Sequence, residues 1–60
     1  MAAHILVVDD EASIRFSLRG ILEDEGHQVE EAESAESALV HIRDNAPDLV
    51  FLDIWLTGMD

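Results

Sequence analysis

Residues 4–10 read HILVVDD and residues 48–53 read DLVFLD, two short and nearly unbroken apolar runs that each end on aspartate. Runs of Val, Leu and Ile of this length are what strands covered on both faces look like, and such strands belong to parallel sheets with helices on their faces. What lies between the two runs therefore decides the fold. From Ala12 onward the apolar residues Ile14, Leu18, Ile21 and Leu22 recur at helical spacing, with Arg15, Arg19, Glu23 and Asp24 expected on the other side. Gly26 is placed to end that helix in a left-handed conformation. HQVEEA, residues 27–32, is weakly apolar and carries Glu30 and Glu31. As a strand it belongs at a sheet edge, where charge discourages unwanted pairing. Ser34 can cap a second helix with the stripe Ala35, Ala38, Leu39 and Ile42, stopped by Asn45, Ala46 and Pro47.

The succession strand, helix, strand, helix, strand with short links predicts an α/β fold with a parallel sheet and right-handed crossovers. Placing the weak middle strand at the edge and the two strongly apolar strands side by side gives the spatial order 2-1-3. Ligands of such sheets bind beyond the carboxyl ends of the strands where the order reverses, here between strands one and three.

Composition narrows the function. Sixty residues without cysteine amount to one unit at most, with no disulfide to support it. A chain of that size buries only about 60% of the surface its unfolded form exposes, so association would help it. Fourteen acids against three bases, a net charge of -11, repel nucleic acid backbones and anionic membranes, so no direct nucleic acid contact is expected. No apolar run approaches the about 18 residues of a membrane span, and the N-terminus lacks the basic and cleavage regions of a signal peptide. A soluble, cytoplasmic setting is the expectation.

The predicted topology brings Asp9 and Asp10, at the end of strand one, next to Asp53, at the end of strand three. Like charges gathered in one crevice repel, which is costly unless a cation sits among them. Hard oxygen donors in an incomplete cage suit Mg²⁺, which keeps several waters and leaves room for a phosphate. Asp53 lies between Leu52 and Ile54, where an ionisable group needs a partner. Glu11 reads more simply as a residue of the first helical turn, favourably placed for the helix dipole. His4, His27 and His41 have no mutual spacing suited to a metal and are read as surface residues. Gly20, Gly26 and Gly58 match neither a P-loop nor a dinucleotide fingerprint. Ser13, Ser17, Ser34 and Ser37 lack a nucleophile elbow.

ILVVDDEASIRFSLRGILEDEG, followed by DLVFLDIWLTGMD, resembles the first half of a bacterial response-regulator receiver domain, over the whole chain. The paired acids, the first-helix pattern with Ile14, Arg15, Leu18, Ile21, Leu22 and Gly26, and the aspartate ending strand three occur together at the family's spacing. The resemblance implies a flavodoxin-like, doubly wound parallel sheet, cut to βαβαβ, with residues 1–60 as the N-terminal half of the domain and any output domain absent. A member of this family is a standard illustration of that strand order, so agreement on the order is not independent support.

The resemblance also implies roles. Asp53 would be the phosphoacceptor, taking a phosphoryl group from a sensor histidine kinase. Asp10 would bind Mg²⁺ directly, Asp9 mainly through water, and Trp55 through its backbone carbonyl. The domain would be a switch rather than an enzyme with turnover. LVFLDIWL further resembles the NtrX-type nitrogen regulators, in which a receiver controls a sigma-54-dependent ATPase and a DNA-binding module. Thr57 stands where many receivers have proline, and Phe16 lies off the predicted buried stripe as an isolated surface apolar residue.

Two other functions compete with that reading. A structural fragment could self-associate, or dock onto a complementary half, through an open apolar edge on strand three. An aspartate-nucleophile phosphatase would want a second aspartate two residues after the nucleophile, where this chain has Trp55.

Overall fold

A computed structural model describes residues 2–52. Five elements follow in the expected order: β1 (His4–Val8), α1 (Ala12–Asp24), β2 (Gln28–Ala32), α2 (Ala35–Asp44) and β3 (Leu49–Leu52). The strands form one parallel sheet in the order β2-β1-β3, which bears out the expected α/β class and strand order. Position 53 and beyond, and with them Asp53, Trp55 and Thr57, lie outside the described residues.

The register explains how one short sheet serves two helices. β1 pairs with β2 from His4↔Gln28 to Val8↔Ala32, and with β3 from Ile5↔Leu49 to Val8↔Leu52. Successive strand residues point to opposite faces. Leu6 and Val8 share one face with Glu30 and Ala32, and they cluster with Ala38 of α2. Ile5, Val7 and Asp9 take the other face with Val29 and Glu31, whose carboxylate meets α1. Central β1 is the core: Ile5, Leu6, Val7 and Val8 are all buried.

The helix ends are built as the residue types suggest. Ser34 accepts a hydrogen bond from the amide of Ser37, capping α2. Gly26, at φ +89°, closes α1. The amide of Gly26 donates to the Glu23 carbonyl and that of His27 to the Leu22 carbonyl, the paired bonds of a Schellman motif. At the far side of the sheet Asp48 binds His4 twice, accepting from its amide through Oδ2 at 2.9 Å and donating to its carbonyl at 2.7 Å.

Four expectations are corrected. β3 is not a fully buried strand. Leu49, Val50, Phe51 and Leu52 are each 39–50% exposed, because β3 pairs only with β1 and neither helix packs on it among the described residues. On α1 Leu18 and Leu22 of the expected stripe are half-buried, and Arg15 joins them, while Ile14 and Ile21 are exposed among the described residues. On α2 only Ala38 is buried, and Ala35, Leu39 and Ile42 are exposed. The histidines are not free surface residues. The His4 side chain is 16% exposed and lies against Glu30, His41 binds Glu30, and His27 Nδ1 accepts from the Ala3 amide. Phe16 is exposed as expected.

Candidate functional site

The candidate site is the turn that links β1 to α1. Central strand β1 delivers Asp9 to the carboxyl edge of the sheet, where the β1–β2 ladder runs one bond further, from the Asp9 amide to the Ala32 carbonyl at 3.1 Å. Asp9 is 4% exposed, the one buried charged residue among those described. A charge so placed needs hydrogen bonds. Its Oδ1 accepts from the Glu11 amide at 2.9 Å, an Asx-type turn that leads into α1. Asp10 follows as an exposed residue at the mouth of the turn. Glu11 is the N-cap residue of α1 but makes no side-chain cap bond, so the carboxylate of Asp9 serves the helix start in its place.

Beside this turn is a depression of about 120 Å³ lined by Val8, Asp9, Leu18, Phe51 and Leu52. It lies between the carboxyl ends of β1 and β3, the location expected for a ligand of a doubly wound sheet. Asp9 and Asp10 are thus brought to this edge. No group of three His, Asp or Glu side chains arranged to hold a metal ion occurs among the described residues. The third carboxylate of the expected set, Asp53, and the Trp55 carbonyl lie outside them.

A residue that reasoning from the sequence placed on the solvent side belongs to this site. Arg15 reaches back from α1, and its Nη1 donates to the Asp9 main-chain carbonyl at 2.6 Å. Its Nε donates to Glu31 Oε1 at 3.2 Å, and Arg19 Nη1 donates to Glu31 Oε2 at 2.9 Å. The hydrogen bond from Arg19 is the main reason that the Glu31 carboxyl lies below the usual carboxylate range, against an opposing effect of burial and with help from Arg15. The same contact with Glu31, followed by that with Glu23, raises the Arg19 guanidinium above its ordinary value. The signal in the sequence was the spacing of Arg15, Leu18 and Leu22, a helical stripe as regular as the apolar one.

The comparisons with known proteins agree with this geometry. The chain is 52% identical over 58 residues to the nitrogen assimilation regulatory protein NtrX of Azorhizobium caulinodans, covering 97% of this chain and 13% of that protein. A crystal structure of NtrX from Brucella abortus matches with a TM-score of 0.92 at 64% identity, over 97% of this chain and 13% of that one. The N-terminal domain of a response regulator receiver protein from Methanoculleus marisnigri matches with a TM-score of 0.91 at 40% identity, over 97% of this chain and 47% of that one. The chain therefore spans well under two thirds of each of these relatives, and the similarity to NtrX-type regulators expected from its wording is found. With the family model for the response regulator receiver domain matching residues 5–60, on a parallel sheet of order 2-1-3 that ends in an acidic turn, the chain belongs to the receiver-domain family of response regulators.

Proposed function

We propose that these residues form the N-terminal half of a receiver domain that accepts a phosphoryl group on Asp53 from the phosphohistidine of a sensor histidine kinase. In that transfer a carboxylate oxygen of Asp53 attacks phosphorus, and the P–N bond to the kinase imidazole breaks with its electron pair returning to nitrogen. An acyl phosphate forms. The obstacle is electrostatic, since an anionic nucleophile must meet an anionic phosphoryl group, and catalysis of such transfers rests on positioning and charge neutralisation.

The observation that carries the reading is the β1–β3 register. It ends at Val8↔Leu52, at the edge where β1 delivers the buried Asp9, and in the sequence Asp53 is the residue that follows Leu52. The donor chemistry suits Mg²⁺: Asp9, which lines a small depression, and its exposed neighbour Asp10 offer hard carboxylate oxygens. Asp10 would hold the cation directly, Asp9 mainly through water, and Asp53 and the Trp55 carbonyl would complete the set. Bound there, Mg²⁺ supplies the neutralising charge. Asp9, with Oδ1 committed to the Glu11 amide, keeps its carboxylate oriented while the acceptor reacts. The half-domain assignment is supported by the match that spans 97% of this chain but 47% of a receiver N-terminal domain. Phosphorylation would control transcription through an output domain outside these residues, in the cytoplasm, as a switch without turnover.

Two measurements test this. Mg²⁺ titration should change the fluorescence of Trp55, the only tryptophan, and a silent titration counts against an assembled site. Incubation with a phosphorylated kinase should add one phosphoryl group to the parent chain and none to Asp53→Asn. A variant that is still labelled would exclude Asp53 as acceptor.

β3 favours a second reading, in which the chain by itself associates through its edge. Leu49, Val50, Phe51 and Leu52 are all exposed, and edge strands with apolar side chains recruit other strands. Sedimentation decides: a stable monomer at micromolar concentration excludes this reading.

A further inference from the structure

Arg15 is the fourth residue of α1, a place where the helix dipole disfavours a cation, so its position calls for a reason. It is held there by two acceptors, the Asp9 carbonyl at 2.6 Å and the Glu31 carboxylate at 3.2 Å, and its side chain is only 15% exposed. The peptide unit is planar, so the Asp9 carbonyl oxygen and the Asp10 amide nitrogen turn as one body. A short, charge-assisted bond to that oxygen sets the plane from which the Asp10 Cα departs. Two further bonds hold the turn on either side of that peptide: the Asp9 amide donates to the Ala32 carbonyl, and the Glu11 amide donates to Asp9 Oδ1. Glu31 in turn fixes the guanidinium from β2 and is itself held by Arg19.

We infer that Arg15 is a positioning residue for the acidic turn, holding the peptide between Asp9 and Asp10 so that Asp10 is aimed at the divalent cation. The inference rests on the receiver reading above. It extends the site from two aspartates to a relay that runs from Glu31 on β2 through Arg15 to the Asp9 carbonyl and Asp10. The rival account is that Arg15 is only a nearby positive charge, and the two differ in sign. A through-space cation repels Mg²⁺, so neutralising it should tighten binding. A positioning residue, once removed, should loosen binding despite the lost repulsion.

The experiment compares Arg15→Gln, Arg15→Lys and Arg19→Gln with the parent in the intact chain, with circular dichroism to confirm folding. Arg19→Gln is the control, since it removes an equal charge and a Glu31 contact without touching Asp9. Mg²⁺ affinity is read from Trp55 fluorescence, and hydrogen exchange of the Asp10 amide is read by NMR without metal. Arg15→Gln is expected to weaken Mg²⁺ binding about tenfold, as loss of an outer-shell partner does, and to speed Asp10 exchange. Arg15→Lys, which keeps one donor, should recover part of both. Arg19→Gln should leave both near the parent. Unchanged or tighter Mg²⁺ binding in folded Arg15→Gln overturns the inference, as does an unaltered Asp10 amide. A parent that ignores Mg²⁺ refutes the metal reading, and the amide comparison then decides by itself whether Arg15 orders the turn. Should Arg15→Gln fail to fold, Glu31→Gln removes the guanidinium's anchor, and an unaltered Asp10 amide in that variant overturns the relay.

Discussion

Nδ1 of His41 lies 2.7 Å from Oε1 of Glu30, tying the middle of an edge strand to the helix that covers it. The other carboxylate oxygen is 3.1 Å from His4 Nε2 on β1. That approach makes no directed hydrogen bond, so His41 is the stronger partner. It is the chief reason that the Glu30 carboxyl lies below the ordinary carboxylate value of 4.5, with burial opposing and His4 adding a smaller pull.

A pH dependence follows from that contact. A carboxyl depressed in the folded state binds its proton more readily when unfolded, so its stabilisation is complete above the ordinary value and is lost as pH falls through the folded value. Stability from urea unfolding should therefore drop below about pH 4.5 more steeply in the parent than in Glu30→Gln. At pH 7 the variant should be less stable by about 0.5 kcal/mol, a partly exposed pair being worth little more. Parallel curves for the two proteins would show that the bridge is energetically silent.

Gly26 isolates a backbone effect. A Cβ there would meet nothing within 4 Å, yet φ is +89°. Gly26→Ala should then cost about 1 kcal/mol from the left-handed conformation alone, and Gly26→Asn less, because asparagine tolerates that region. Equilibrium unfolding of the two variants checks the ranking.

The cap of α2 gives a second local test. Ser34→Ala removes the acceptor of the Ser37 amide and should destabilise by about 1 kcal/mol, while Ser34→Asp, another good cap, should stay close to the parent. Equal losses in both would assign Ser34 a role other than capping.

Core and surface positions on the α2 face should separate sharply. Leu6 is 1% exposed and Leu39 65%. Leu6→Ala should cost about 2–5 kcal/mol, enough to unfold a chain this small, and Leu39→Ala should stay within about 0.5 kcal/mol. Thermal melts of both variants test the observed face of α2 against the apolar stripe read from its sequence.

Some of the architecture was legible in advance for local reasons. The unbroken run of β1, the caps at Gly26 and Ser34, and the charged middle strand all follow from backbone conformation and burial of single residues. The Asp9 and Asp10 pair was legible because two acids end a buried strand where the sheet order reverses, the place such sheets bind ligands. Arg15 was misread because a helical wheel weighs apolarity alone. Its guanidinium finds a carbonyl and a carboxylate on the sheet side, and those acceptors come from β1 and β2, at separations that a wheel cannot contain. Glu30 and Glu31 were read together as edge charge, whereas alternation along β2 sends them to different partners: histidines on the α2 face, arginines on the α1 face.

The amino-acid sequence by itself determined the element order, the parallel sheet, the strand order and the identity of the acids at its carboxyl edge. Periodicity, caps and short connections leave few other ways to bury two apolar strands. Only the tertiary structure decided which residues of each helix meet the sheet and which partner each charge of β2 meets. Those choices depend on contacts between elements far apart in the chain, such as those that bring Arg15 of α1 to the Asp9 carbonyl and the Glu31 carboxylate.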